Sequence, residues 1–473
     1  MNPDYNKKII YTSLMIQFAF FCAILIISCS PDNYQKFNSN YDEFLDPMTG
    51  GETTIPDATS HAFATPAPNL SAVNLDRHFE GDTTFEAAFV TAPAQINSGL
   101  GPIFNNTSCV NCHIRNGRGK APSNSRRMKS MLLRISLPKT DQEHVSSPIP
   151  VPGFGTQLND RANFGQLAEG KISIEYSDKL VNYDDGHSLK LRVPNYKVYD
   201  TYQPLPKNVQ ISPRVAAPVF GLGLLEAIEE QTILQLADEN DQNSDGISGR
   251  PNYVLDVQTM KMRLGRFGWK ANEPSLLQQV AEAYHNDMGI SNSLFPTDTS
   301  EGQKQFDLLK DDPEINDSIL QATTFYVQSL AVPARRDLEN PEVKKGAILF
   351  SRANCVSCHV PTLKTGKHPT IPEMSDQLIH PYTDLLLHDM GEDLADNRDD
   401  FIANGREWRT PPLWGIGLTY VVNGHTNFLH DGRARSLTEA ILWHGGEAEK
   451  SRDFFLSLSS KDRESLIIFL ESL

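Results

Sequence analysis

The same five-residue pattern occurs twice in this chain, as Cys109-Val110-Asn111-Cys112-His113 and as Cys355-Val356-Ser357-Cys358-His359. Cys-x-x-Cys-His has a mechanical reading. Two thiols form thioethers with the vinyl groups of a porphyrin, and the His that follows swings beneath the ring to ligate iron. Two covalently bound c-type haems are therefore expected. The competing chemistry is zinc held by four thiolates. Zinc ribbons are compact, whereas these pairs lie in opposite halves of the chain, and zinc does not account for the shared trailing His. A redox-active dithiol also leaves the twin His residues unexplained. Each motif has a Phe five residues before its first Cys, Phe104 and Phe350, which suggests two cytochrome c-like domains related by duplication.

The remaining two of six cysteines, Cys22 and Cys29, fall near the N-terminus. Lys7 and Lys8 precede a predominantly apolar run, residues 9–27, that closes in Ile26-Ile27-Ser28-Cys29. A basic start, an apolar stretch and small residues at the break describe an export signal. The ending resembles a bacterial lipobox, in which Cys29 becomes the lipidated first residue. An uncleaved anchor is the alternative, since such a run can just span a bilayer. Either way the body is expected outside the cytoplasm, on the periplasmic side or cell surface, held to a membrane. No cysteine is left for a structural disulfide, although that compartment permits one. The net charge of −16 argues against nucleic acid, since no basic excess is available to neutralise phosphates. It weakly favours a neutral or basic redox partner protein.

Residues 1–29 read as the signal peptide. Residues 30–75, rich in Asn, Asp, Ser, Thr and Pro, read as a tether whose later part, near Gly50-Gly51 and Phe63, packs on the first domain. A first haem domain spans 76–335 and carries a mixed loop and strand insertion at 123–213, with alternation at 131–137 and 172–176. A second haem domain spans 336–473. Helical patterns at 224–237, 275–284, 341–350 and 461–473 predict a mainly α fold. Two downstream segments echo one another: Trp269 to Ser275-Leu276, running on to Gln279, and His430 to Ser436-Leu437, running on to His444. Each Ser opens a capping-box pattern, so each segment predicts a loop turning into a helix.

The chain after the tether resembles the di-haem oxidoreductases, relatives of the bacterial dihaem cytochrome c peroxidases. The carrying stretches are 99–113, 220–228, 266–290, 382–396, 407–418 and 428–448. The resemblance puts Trp269 at the place of a Trp between the haems, with Gln279 and Asp287 as candidate catalytic proton handlers. It sets His444 where relatives carry a Met ligand. That substitution implies bis-histidine ligation of the second iron by His359 and His444, and a lower potential than Met/His ligation gives. A helix histidine packed beside Trp443 is the structural alternative. His430 is expected beside or between the haems rather than on an iron. The first iron has His113 as proximal ligand. His187, Tyr196 or Tyr199 is a candidate for its far side, which is otherwise open. His388 resembles a family motif near the second haem, with a structural role. His61, His78, His144, His285, His368, His380 and His425 read as exposed or structural.

Asp241-Gln242-Asn243-Ser244-Asp245-Gly246-Ile247 fits the opening of a calcium loop, with side-chain oxygens at alternate positions, a Gly bend and then a backbone carbonyl. An Asp/Asn-rich turn is the alternative. Calcium between the domains of the related peroxidases favours the first. Two functional readings follow: a peroxidase-like enzyme passing electrons from the C-terminal haem to an open N-terminal one, or an electron-transfer lipoprotein with both irons six-coordinate. A third, redox modification of a partner protein, comes from another relative.

Overall fold

Two helix pairs, one in each half, organise this molecule, and each pair crosses at a glycine. In a computed structural model, which describes residues 42–122, 128–139 and 147–473, helix Ala72–Glu86 lies on helix Asp317–Ser329. A Cβ on Gly81 would come within 2.2 Å of the Ala322 carbonyl oxygen and 2.7 Å of Tyr326. Helix Pro341–Arg352 lies in the same way on helix Ser460–Ser472. There a Cβ on Gly346 would come within 2.1 Å of the Ser465 carbonyl and 2.5 Å of Phe469. Only Gly permits backbones so close.

The aromatic residue four places after each glycine completes the correspondence. The Phe85 ring sits 5.1 Å from Tyr326 and 6.3 Å from His113. The Phe350 ring sits 5.2 Å from Phe469 and 6.4 Å from His359. Phe85, not Phe104, is thus the counterpart of Phe350. Phe104 belongs to a short strand, Ile103–Phe104, paired with Arg161–Ala162. The spacing misleads because a longer loop separates the first helix from its haem motif.

Helix caps follow the sequence. Ser275 accepts from Gln278 N and starts helix Leu276–Met288; Ser436 accepts from Glu439 N and starts helix Leu437–Leu442; Ser459 caps the last helix. Each such bond satisfies a backbone N–H that the helix itself leaves without a partner. The segment 224–237 breaks into Leu222–Glu226 and Glu230–Leu234. Arg266 explains the break: its guanidinium takes the carbonyls of Leu225, Glu226 and Ile228 out of the helical ladder.

The expectation of a mainly α fold is overturned. Helix accounts for 29% and strand for 19%, with eleven short helices among the described residues. Much of the chain runs as loops held by turn chemistry, with left-handed backbone at Asp241, Asn354, Asp376 and Asn397, residue types that tolerate it. The insertion supplies the longest strands, Lys171–Asn182 and Ser188–Tyr199, an antiparallel hairpin. This hairpin leaves the first half and lies along the second. Arg192 donates to the carbonyls of Gly432 and Arg433, Tyr196 Oη donates to Asp431 at 3.0 Å, and Asp185 at the tip pairs with Arg463 at 2.5 Å.

Residues from Pro47 to Leu473 form one compact unit. Within it Thr54–Ile55 pairs with Val332–Pro333, and Phe63 stacks on Phe220 at 4.1 Å. The signal segment, Cys29 and His144 lie outside the described residues. Among the described residues no helix is long and apolar enough to cross a membrane.

Candidate functional site

Each Cys-x-x-Cys-His motif lines its own cavity. The first, about 240 Å³, holds Cys109, Cys112 and His113; the second, about 170 Å³, holds Cys355, Cys358 and His359. One water needs roughly 10–15 Å³ on this scale, so both are clefts for a large group. The two thiol pairs are separate, which leaves no four-thiolate zinc site. Burial also pushes Cys109, Cys112 and Cys355 up to about 12 and raises Cys358, whereas zinc needs thiolates.

Three imidazoles are set in one way. Nδ1 of His113 donates to the Ala217 carbonyl at 2.7 Å, Nδ1 of His359 to the Tyr382 carbonyl at 3.0 Å, and Nδ1 of His444 to the Ala440 carbonyl at 2.7 Å. A carbonyl can only accept, so the proton is fixed on Nδ1 and Nε2 keeps its lone pair. This is the outer-shell arrangement of metal-ligating histidines. Burial holds His113 and His359 down at about 4 and lowers His444 as well, so all three are neutral near pH 7. His359 and His444 line the same cavity.

The two loop-to-helix segments superpose this asymmetry. Phe267 bridges to Glu273 around Trp269, as Phe428 bridges to Ala434 around His430. The first segment feeds helix Leu276–Met288, whose residues Leu276, Gln279, Val280, Ala283 and Asp287 face the first cavity at helical spacing. His444 lies fourteen residues beyond His430. Fourteen beyond Trp269 is Ala283. Each lines its own cavity, one with an imidazole and the other with a methyl group.

Trp269, Arg118 and Arg409 line both cavities. Trp269 Nε1 donates to the Val215 carbonyl at 2.9 Å, and Val215 N donates to the His430 carbonyl at 2.7 Å. His430 stacks on Trp408 at 3.7 Å and 9°, and its buried Nε2 has no hydrogen-bond partner among the described residues, with the Asp431 carboxylate 4.0 Å away. Burial depresses it to about 3. Among the described residues the hydrogen bonds of the Arg118 and Arg409 side chains go to carbonyls, of Leu429 for the first and of Gly268 and Thr410 for the second. Buried guanidiniums at the junction fit the propionate carboxylates of two haems, as the thiols and free Nε2 atoms fit the rest of the group.

Asp287 accepts from Gln157 Nε2 at 2.8 Å, and burial raises its carboxyl. His187 is exposed and bonded to Asp185, Tyr196 is bonded to Asp431, and neither these nor Tyr199 lines the first cavity. Those three candidates ride on the hairpin or its tip, which reaches the second half instead. His388 was legible only as a motif residue. Its Nδ1 lies 2.7 Å from Glu447 and its Nε2 2.7 Å from Asp384, all beside the second cavity. Burial opposes its charge, but the Asp384 carboxylate outweighs it and holds His388 well above its ordinary value.

In the Asp241–Ile247 loop, Asp241 accepts from Gly246 N, Asn243 from Asp245 N and Asp245 from Ile247 N, while Lys450 Nζ caps the Asp245 carbonyl. Ile247 reaches the second cavity. Among the described residues no cluster of three His, Cys, Asp or Glu could hold a metal ion.

A family model described as "Di-haem oxidoreductase, putative peroxidase" matches residues 46–473. No curated protein and no solved structure matches the chain.

Proposed function

Since the chain belongs to the di-haem oxidoreductase family, we propose that it is an exported, peroxidase-like c-type cytochrome. In this reading His359 and His444 would hold a C-terminal haem that takes up electrons, and His113 would hold an N-terminal haem that supplies the place for peroxide. The haem domains would be 76–335 and 336–473. The single observation that carries the reading is the pairing of positions: Ala283 stands where His444 stands, and His113 is the one histidine among the described residues lining the first cavity.

Bound haem supplies an iron that changes oxidation state and, where no side chain fills its far face, a place for peroxide. The chain supplies the rest. Cys109, Cys112, Cys355 and Cys358 anchor the rings, and the three carbonyl-fixed imidazoles orient Nε2 toward them. Trp269 stands between the cavities as a bridging ring. Asp287, whose carboxyl burial raises, lines the first cavity and is the group placed to handle a proton there, with Gln279 two turns earlier on the same helix face. The leader and Cys29 support export and lipid anchoring. A redox partner protein would supply the electrons. Calcium at the Asp241–Ile247 loop belongs to the same reading and would brace the wall of the second cavity.

Optical and EPR spectra of the haem-loaded protein, with and without peroxide, test this. One high-spin haem that reacts with peroxide is expected. Two low-spin haems inert to peroxide would sink it in favour of an electron-transfer lipoprotein. A specific observation favours that second reading: Met131 and Met288 line the first cavity, and either thioether could complete a six-coordinate iron.

A further inference from the structure

Behind the wall of the first cavity two glutamates meet where only one can be ionised. Glu273 closes the Phe267 loop and is 2% exposed. Its Oε1 accepts from Asn272 Nδ2 at 3.0 Å, but its Oε2 has no N–H donor although it is fully enclosed. The group it meets is the carboxyl of Glu282, on helix Leu276–Met288, at hydrogen-bonding range. Two carboxylates in contact repel, and neither can donate; a proton between them turns the contact into a strong hydrogen bond.

The neighbours decide which glutamate keeps the proton. Arg134 Nη1 donates to Glu282 Oε1 at 2.7 Å, and Asn286 Nδ2 donates to the same oxygen at 2.8 Å. Burial works against ionisation of both acids, but at Glu282 the Arg134 guanidinium outweighs it. At Glu273 burial is joined by the charge of Glu282, and its carboxyl is held well above the ordinary range. The other groups facing the pair are the Gln278 side chain, which favours ionisation of Glu273 but is outweighed by burial and Glu282; Asp287 and Asp400, which favour keeping a proton; and His285, itself lowered by burial. Arg134 lines the first cavity, and its strand partner Gln157 holds Asp287. The pair and the cavity thus share one wall.

We infer that Glu273 and Glu282 form an acid–carboxylate pair that stores one exchangeable proton beside the first cavity, and that this proton supplies peroxide reduction there. The second half of the inference rests on the peroxidase reading; the first does not. Reducing peroxide to two waters takes two electrons and two protons. The electrons come from the partner protein through the haems. The pair would give one proton and be left as two carboxylates facing Arg134; the second proton, and later the one that reloads the pair, would come from solvent. Glu273 acts here through the wall of the site and is a positioning residue.

Infrared spectra of the haem-loaded protein, in ordinary and heavy water, test the storage. A native-minus-Glu273→Gln difference spectrum is expected to carry the carbonyl stretch of one enclosed carboxylic acid; the variant keeps the shape and can donate to Glu282. A difference spectrum without that band overturns the pair whatever the protein's activity. Glu282→Gln should shift the band, and serves if the first variant fails to fold. A single turnover with peroxide, followed by a pH indicator, tests the supply. Proton uptake by the native protein should lag behind peroxide loss, and Glu273→Gln should abolish the lag and slow peroxide loss by about tenfold or more. An unchanged rate and an unchanged lag in that variant overturn the supply role. A native protein inert to peroxide would instead sink the peroxidase reading and leave the infrared result standing.

Discussion

The two halves share a construction and part company at one helix. In each, a glycine-crossed helix pair brings a Phe against the motif histidine, and a carbonyl fixes that histidine's tautomer. In each, an aromatic or imidazole ring precedes a Ser-capped helix that faces the cavity. The first helix then presents Ala283 to its cavity, while His444 enters the other from the turn just past the end of helix Leu437–Leu442. On the proposed reading, two like halves would take on different jobs through one position, with everything that aims the motif kept the same.

The strongest way to break this comparison is to remove one anchor. Replacing Cys109 and Cys112 by Ala should leave one covalently bound haem per chain instead of two, measured by pyridine haemochrome assay; two retained haems would refute covalent attachment at that site. Exchanging the odd residues is the next test. Ala283→His should make the first haem low-spin and inert to peroxide, while His444→Ala should convert the second haem alone to high-spin, both read by EPR. An Ala283→His protein with an unchanged spectrum would end the pairing of the two positions.

A smaller effect is expected beside the second cavity. His388 bridges Asp384 and Glu447, and its proton is held well above the ordinary histidine value of about 6.5. Its contribution is fully present below that value and is lost as pH rises through the folded-state value. His388→Gln leaves two carboxylates without the charge between them, a cost of about 3–5 kcal/mol by analogy with broken buried ion pairs. The variant's Tm should be lower than the native protein's, and should fall less as pH rises from neutral. Trp269→Phe removes the indole bond to the Val215 carbonyl, worth about 1 kcal/mol. It should slow electron exchange between the haems in flash photolysis while leaving both spectra intact. Smallest of all, EGTA should lower Tm by about 2–4 °C if calcium sits in the Asp241 loop.

How far the sequence carries depends on how local the chemistry is. The haem motifs are legible because the thioether and ligand groups must be contiguous, and Ser275, Ser436 and Ser459 are legible because a cap speaks only to its own helix. The partners that give the motifs their aim are not. His113 takes its tautomer from a carbonyl 104 positions away, and any residue can offer a carbonyl. Arg118 and Arg409 matter through where the fold carries them. Phe104 looked like the mate of Phe350 because spacing was counted along the chain, whereas packing pairs Phe350 with Phe85. The mainly α expectation failed for a related reason: haem contacts need only short helices, and the long stretches between them are turns and the insertion's strands. Tyr196 and His187 were sought at the first haem because of their place in the chain, and the hairpin takes them to the other half.

That hairpin has a consequence for how fast electrons can move. Its bonds to Gly432, Arg433 and Asp431 fall on the very loop that carries His430, and its tip is fastened to the last helix by Asp185 and Arg463. Prising the halves apart would mean breaking all of these together. On the proposed path from one haem to the other, the gap to be crossed would be held by the first half's hairpin gripping the second. On that path, control over the rate would fall to the energies of the two irons rather than to a change in their spacing.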